Sequence, residues 1–237
     1  MSGDRKGMVA AVTGASRGIG RAVALHLARE GWSVALASRD AAALSDLAEE
    51  ITAFGGTALP VPTDVTSEDS VAAMTDAVTA RFGRFDALIN NAGVGVFRTV
   101  AETATGEYDR MMNVNMKAVF LCCRSVIPVM SAQRRGDIVT IASLAGKNSF
   151  AGGAVYSASK WGIIGFSRSL MLEVRDRNIR VITLCPGSVN TGFADKERND
   201  PTIIQPSDVA ETVSFALSMP DRINVSEIDI RPSIRPR

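Results

Sequence analysis

The chain has 237 residues, 46% of them apolar, 22% charged and 5% aromatic, which is the composition of a globular domain that folds around its own core. Lys and Arg number 26 against 25 Asp and Glu, and the resulting charge of +1 lacks the basic field that a nucleic-acid or membrane-surface protein needs. The cysteines Cys122, Cys123 and Cys185 have no C-x-x-C spacing and share the chain with a single histidine, so neither a disulfide framework nor a metal centre is expected.

Short runs rich in Val, Ile, Leu and Ala at 8–12, 33–38, 57–61, 87–90, 137–142, 180–184 and 225–230 read as buried parallel strands. Between them, 19–30, 41–54, 67–81, 108–133 and 156–175 carry apolar residues three and four apart and predict helices. Asp40, Thr66 or Ser67, and Ser207 stand where helix N-caps belong. This alternation predicts the α/β class: one domain over 1–237, a Rossmann-like doubly wound parallel sheet of about seven strands flanked by helices on both faces. The segment 190–206 lacks periodicity and reads as a mobile flap. No run reaches the roughly 18 consecutive apolar residues of a membrane span, and 8–12 is too short for a secretory segment, so a cytoplasmic protein is expected.

The first strand leads into Thr13-Gly14-Ala15-Ser16-Arg17-Gly18-Ile19-Gly20, which opens the first helix. Glycines in that setting permit a tight turn and let backbone approach a pyrophosphate, while the helix start offers N–H groups and positive partial charge. At the end of the second strand of a Rossmann sheet, a carboxylate binds the ribose hydroxyls of NAD and a cation accommodates the 2′-phosphate of NADP. Here the strand ends Ala37-Ser38-Arg39-Asp40, with Arg17 nearby in sequence pattern. Asp40 is assigned to the helix cap, which leaves Arg39 and Arg17 to clamp a phosphate and favours NADP(H).

Tyr156 and Lys160 are four apart and lie on one helix face, with Ser143 just beyond the fifth strand. An ordinary tyrosine, with a pKa of about 10, exchanges protons poorly near neutrality, and an adjacent ammonium favours its phenolate. Together with the glycine turn, Asp64 in Thr63-Asp64-Val65, Asn90-Asn91-Ala92-Gly93, Asn115, Ser143, Tyr156-Ser157-Ala158-Ser159-Lys160 and Pro186-Gly187 follow one another in a fixed order. In this the chain resembles the short-chain dehydrogenase/reductase family from about residue 8 to about residue 191.

The resemblance implies that Tyr156 is the acid that protonates a carbonyl oxygen and the base in the reverse reaction. Lys160 would lower the Tyr156 pKa and bind the nicotinamide ribose, Ser143 would bond the substrate oxygen, and Asn115 would hold a water in a proton relay. Gly14, Ser16, Arg17, Gly18, Ile19 and Gly20 would cradle the phosphates. Asp64 and Val65 would meet the adenine, Asn91, Ala92 and Gly93 the adenosine ribose, and Pro186, Gly187, Val189 and Thr191 the nicotinamide and phosphates. It also implies a homotetramer or homodimer. The expected activity is hydride transfer between NADP(H) and a carbonyl or secondary alcohol, with 3-oxoacyl-thioester reduction and a catalytically silent NADP(H) sensor as alternatives.

The ending Ile228-Asp229-Ile230-Arg231-Pro232-Ser233 departs from the glycine-containing end of 3-oxoacyl carrier-protein reductases and is more similar to NADP-dependent reductases and 3-hydroxy acid dehydrogenases. Val94, Ala145, Phe150, Val155, Ser188 and Phe193 are expected to line the substrate side, with no arginine among them, which points to a neutral or partly apolar carbonyl compound. His26 reads as a helix-flank residue, Met111, Met112 and Met116 as core or interface, Cys122 and Cys123 as buried hydrophobes, and Arg231, Arg235 and Arg237 as a solvated or interface-crossing tail.

Overall fold

The structure is a computed structural model that describes residues 6–193 and 200–233. Its elements in chain order are β1 (Val9–Thr13), α1 (Gly18–Arg29), β2 (Ser33–Ser38), α2 (Ala41–Ala53), β3 (Thr57–Pro62), α3 (Glu68–Phe82), β4 (Ala87–Asn90), α4 (Thr105–Met112), α5 (Ala118–Gln133), β5 (Gly136–Ile141), α6 (Ala154–Val174), β6 (Ile179–Pro186), α7 (Pro206–Ser218) and β7 (Glu227–Ile230). The strands form one sheet in the order β3-β2-β1-β4-β5-β6-β7 with every pairing parallel, the doubly wound arrangement expected.

Strand burial follows from position in that order. β1, β4, β5 and β6 are buried at every residue because helices cover both faces, so their sequences are continuous apolar runs rather than alternating ones. β3 lies at an edge, is partly exposed throughout, and there tolerates Pro60 and Pro62. One core packs α1, α2 and α7 onto the sheet through Leu27, Leu36, Leu47 and Val213. The other packs α3, α5 and α6 onto the opposite face through Met74, Leu88, Val126 and Ile163. Strand order reverses between β1 and β4, which opens a crevice at their carboxyl ends, where ligands bind in this class of sheet.

Asp40 caps α2, its Oδ1 accepting from the Ala43 N–H at 3.1 Å, and Ser67 rather than Thr66 caps α3, accepting from Ser70 N–H at 3.3 Å. The expected Ser207 cap is wrong. Pro206 already occupies the first turn of α7, and Gln205 is the N-cap, its N–H bonded to Asp208 Oδ2 at 2.8 Å. The segment expected at 108–133 starts earlier, at Thr105, and contains a π turn at Asn113–Lys117. By length and composition the run Thr105–Gln133 passes for a membrane span, but Leu121, Cys122, Val126 and Met130 spend that apolarity on the core.

The residues left without a catalytic role fall where expected. His26 is 3.4 Å from Glu30 on the flank of α1, Met111 is buried beside Ala145 and Tyr156, Met116 packs against the core under α3, α5 and α6, and burial pushes the Cys122 thiol up to about 12. Arg231 pairs with Asp229 at 3.2 Å, whereas Arg235 and Arg237 lie outside the described residues, as do 194–199 of the expected flap. The flap's base is tied down by the Asn190 N–H, bonded to the Ile204 carbonyl at 2.8 Å, and by the Asn190 amide, bonded to Gln205 at 2.9 Å.

At the far end of the sheet, Arg180 forms a buried pair with Asp137, Nη2 to Oδ2 at 2.8 Å, and donates to the Met219 and Leu217 carbonyls at 2.8 and 3.1 Å. Removing one partner leaves the other charge buried, so Asp137→Ala is expected to lower the unfolding free energy by about 3 kcal/mol, measured by urea denaturation.

Candidate active site

The turn after β1 is fixed by contacts that side chains would prevent. Gly14 and Gly18 have positive φ angles of 66° and 56°, which glycine adopts without strain. A Cβ on Gly20 would lie 2.3 Å from the Gly14 carbonyl oxygen, so α1 can pack against its own preceding turn only with glycine there. The Thr13 hydroxyl donates to the Ile89 carbonyl at 3.2 Å and accepts from the Asn91 and Ala92 N–H groups at 3.0 and 3.1 Å. The Asn91 amide returns two bonds to the Thr13 and Gly14 carbonyls, at 2.9 and 3.2 Å. Its side-chain NH2 is therefore occupied in holding the turn.

No side chain caps α1, and its first turn holds no acidic residue. Free N–H groups and the positive end of the helix dipole thus face the crevice, which suits a pyrophosphate. Arg17 and Arg39 both line the same space, together with Ser38, Asp40 and Asp64. Asp64 accepts from the Thr66 hydroxyl at 2.7 Å and its N–H at 2.9 Å, and these bonds, with a smaller contribution from Arg39, hold its carboxyl below the ordinary range despite partial burial.

Ser143, Tyr156 and Lys160 converge at the other end of the crevice. Ser143 follows β5 and shares a hydrogen bond with the Tyr156 phenol. Phe97 meets the Tyr156 ring edge-on at 5.3 Å and 88°, and Phe193 tilts against it at 5.8 Å. Burial pushes the phenol up to about 12, against the lowering effect of the Ser143 bond, so Tyr156 is a protonated acid at neutral pH. Lys160 is buried 5.8 Å from the centre of the Tyr156 ring and donates to the Ile141 carbonyl at 3.1 Å. Burial brings its ammonium down to about 8. The expected lowering of the Tyr156 pKa by Lys160 is not what this geometry produces, because the ammonium points to a strand carbonyl and burial dominates both groups.

Asn115 sits in the π turn, fully buried. It accepts from the Val94 N–H at 2.9 Å and donates to the Val94 carbonyl at 2.9 Å and to Ser159 Oγ at 3.0 Å; Ser159 in turn donates to the Tyr156 carbonyl at 2.7 Å. The extra residue of a π turn aims this amide at the loop after β4 instead of along the helix surface. A Cβ on Gly93 would lie 3.5 Å from Asn115 Oδ1 and 3.8 Å from Lys160 Nζ, so both groups border the space above that glycine.

These residues share one cavity of about 1050 Å³. Its walls include Gly14, Ser16, Arg17, Gly18, Ile19, Arg39, Asp64, Val65, Asn91, Ala92, Gly93, Ser143, Tyr156, Lys160, Pro186, Gly187, Val189 and Thr191, the residues expected there. Gly20 and Asn115 stand behind the walls, the first as a packing contact and the second as a support. On the substrate side Val94, Ala145, Phe150, Ser188 and Phe193 line the cavity, whereas Val155 packs beside Tyr156 away from it. Sequence reasoning missed Phe97, Arg110 and Asn148. Arg110 precedes Val114 by one helical turn and lies on the same face, a spacing that was readable; Phe97 lies in an aperiodic loop that gives no such signal. The Arg110 side chain has no ion-pair or hydrogen-bond partner among the described residues, and it adds an arginine to a cavity whose substrate side was expected to be lined without one.

The short chain dehydrogenase family model matches residues 8–202. Glycine betaine reductase ATRR of Emericella nidulans is 38% identical over 99% of the chain, which spans 19% of that longer protein. Among solved structures, an alcohol dehydrogenase from the archaeon Thermococcus sibiricus complexed with 5-hydroxy-NADP superposes with a TM-score of 0.92 at 30% identity, covering 97% of this chain and 99% of that one. A metagenomic short-chain oxidoreductase in complex with NADP gives 0.88 at 40% identity, with 98% and 100% covered. A 3-ketoacyl-(acyl-carrier-protein) reductase from Brucella melitensis complexed with NADH gives 0.89 at 29% identity, with 97% and 98% covered.

The Lys160 ammonium is depressed from 10.5 in the unfolded chain to about 8 when folded, so the folded state sheds its proton first and stability from this group rises with pH between those values. Wild type should gain up to about 3 kcal/mol relative to Lys160→Met across that window, read from urea midpoints at successive pH values.

Proposed function

This chain belongs to the short-chain dehydrogenase family, and from that premise we propose that it is an NADP(H)-dependent reductase of carbonyl compounds, reversible as an alcohol dehydrogenase. The observation that carries the reading is one cavity with an uncapped glycine-turn helix start at one end and Ser143, Tyr156 and Lys160 at the other. Bound NADPH supplies the hydride. Tyr156, held protonated by burial, gives its phenolic proton to the carbonyl oxygen as charge develops there, and Ser143 donates a second hydrogen bond to that oxygen. Lys160 and Asn115 border the space above Gly93, where the lysine is placed to meet a ribose, and its pKa of about 8 lets it exchange a proton near neutrality.

Preference for NADP(H) rests on the end of β2. Asp40, the carboxylate that would bind the ribose hydroxyls of NAD, is engaged by the Ala43 N–H, while Arg39 and Arg17 line the cavity. Similar solved structures hold NADP, a hydroxylated NADP or NADH, so the arginines and not the similarity carry this step. Phe97, Phe150 and Phe193 around Tyr156 favour an apolar carbonyl compound. Arg110, with no partner among the described residues, favours a second reading, a 3-oxoacyl thioester whose carrier arm brings a phosphate.

We place the protein in the cytoplasm as a single-domain homo-oligomer, a tetramer or dimer. Buried, unpaired Cys122, Cys123 and Cys185 suit a reducing compartment, and exposed Phe120, Trp161 and Leu172 on α5 and α6 suit contact with another copy.

Tyr156→Phe should lower kcat about a hundredfold or more while NADPH still binds, as followed by NADPH fluorescence; near wild-type turnover would overturn the mechanism. The kcat/KM for NADPH should exceed that for NADH, and Arg39→Ala should cut the ratio about tenfold or more. A panel of diacetyl, acetophenone, acetoacetyl thioester, a sugar and a small charged keto acid, followed by NADPH absorbance, should give its highest rates with the apolar carbonyls. Thioester turnover well above theirs selects the second reading.

A further inference from the structure

Ser143 Oγ accepts from the Ala145 N–H at 3.1 Å and has one proton to give, which it directs to the Tyr156 phenol in the free protein and must redirect to a substrate oxygen, so the placement of its turn matters to a fraction of an ångström. That turn is rigid within itself: the Gly146 N–H bonds the Ser143 carbonyl at 2.9 Å, and the Lys147 and Asn148 N–H groups bond the Leu144 carbonyl at 2.9 and 2.8 Å. Its first end is fixed to β6, where the Ala142 N–H meets the Leu184 carbonyl at 2.7 Å and the Ser143 N–H bonds the Cys185 sulfur. Its second end is held by charge. Lys147 seats its ammonium between the carboxylates of Glu227 and Asp229, both on β7.

The same strand also holds the helix of Tyr156. Arg168, two turns beyond Lys160 on α6, pairs with Glu227 at 3.1 Å. Side chains of Lys147 and Glu227 are only 25% and 21% exposed, which sets this cluster apart from isolated surface pairs of little worth. Burial opposes ionisation of Glu227, yet Lys147 and Arg168 together hold its carboxyl below the ordinary range. Gly146 packs so closely on α6 that a Cβ there would lie 2.7 Å from the Lys160 carbonyl, leaving no slack between turn and helix.

We propose that Lys147 is a positioning residue for Ser143, and that β7, through Glu227 and Asp229, is the shared reference that fixes the Ser143 turn against the helix bearing Tyr156 and Lys160. The proposal rests on the reductase reading of the site and adds a residue outside the reacting groups to it.

Lys147→Met, the charge-preserving Lys147→Arg, and Asp229→Asn, which loosens the same contact from the strand side, are assayed with NADPH and the fastest of the panel carbonyls, each alone and combined with Ser143→Ala. Lys147→Met should lower kcat about tenfold with KM and NADPH affinity within about twofold of wild type, and Lys147→Arg should restore most of the loss. Over Ser143→Ala the same substitution should change kcat by less than about twofold, because the group being positioned is gone. If Lys147→Met does not fold, Asp229→Asn gives the same comparison. Unchanged kcat in a folded variant, or an equal loss with and without Ser143, would overturn the proposal. An inactive Tyr156→Phe beside a fully active Lys147→Met sinks the positioning role alone; an active Tyr156→Phe sinks the reductase reading.

Discussion

The hydroxyl of Thr13 is the point on which the rest of the site depends. It joins the ends of β1 and β4, the two strands between which the sheet reverses direction, by donating to Ile89 and accepting from Asn91 and Ala92. Asn91 completes the joint by bonding the Thr13 and Gly14 carbonyls. A parallel sheet alone would leave its strand ends splayed and their polar groups unpaired; here they are tied at the height where the glycine turn must face the loop after β4. The forbidden Cβ at Gly20 is part of the same joint, since it would strike both the Gly14 carbonyl and the Asn91 amide.

From that joint the site extends along the crevice as a gradient of hydration. At the β2 end the groups are exposed and cationic, suited to phosphate. At the β5 end they are buried, and burial sets the chemistry: it raises the Tyr156 phenol and lowers the Lys160 ammonium, while Phe97 and Phe193 pack on the Tyr156 ring. In the proposed reduction, the proton held on the buried phenol passes to a carbonyl oxygen as negative charge accumulates there.

Much of this was legible in the sequence because it is written in local patterns. Continuous apolar runs mark strands covered on both faces, and Asp40 before Ala41-Ala42-Ala43 marks a cap. The Tyr156 and Lys160 spacing marks one helix face, and the order of short motifs marks the family. What escaped depends on choices between neighbouring residues or on how elements pack in the assembled fold. Ser207 looks like a cap until Pro206 and Gln205 claim the position, and Arg110 looks like one more helix-surface charge until Val114 beneath it turns out to face the cavity. The π turn around Asn115 has no local signature, and Asn91 looks like a ligand contact until its amide is found holding the turn. The opposed shifts of Tyr156 and Lys160 follow from how deeply both are buried, a property of the assembled core that their spacing does not reveal.

The central claim is that the chain itself holds Tyr156 as a protonated acid, through burial. With only two tyrosines in the chain, phenol ζ-carbon NMR of tyrosine-labelled protein resolves it directly, the Tyr156 signal being the one lost in Tyr156→Phe. In the cofactor-free protein that signal should keep its protonated position as the pH passes about 10, the ordinary phenol value. A midpoint below that value would contradict the account.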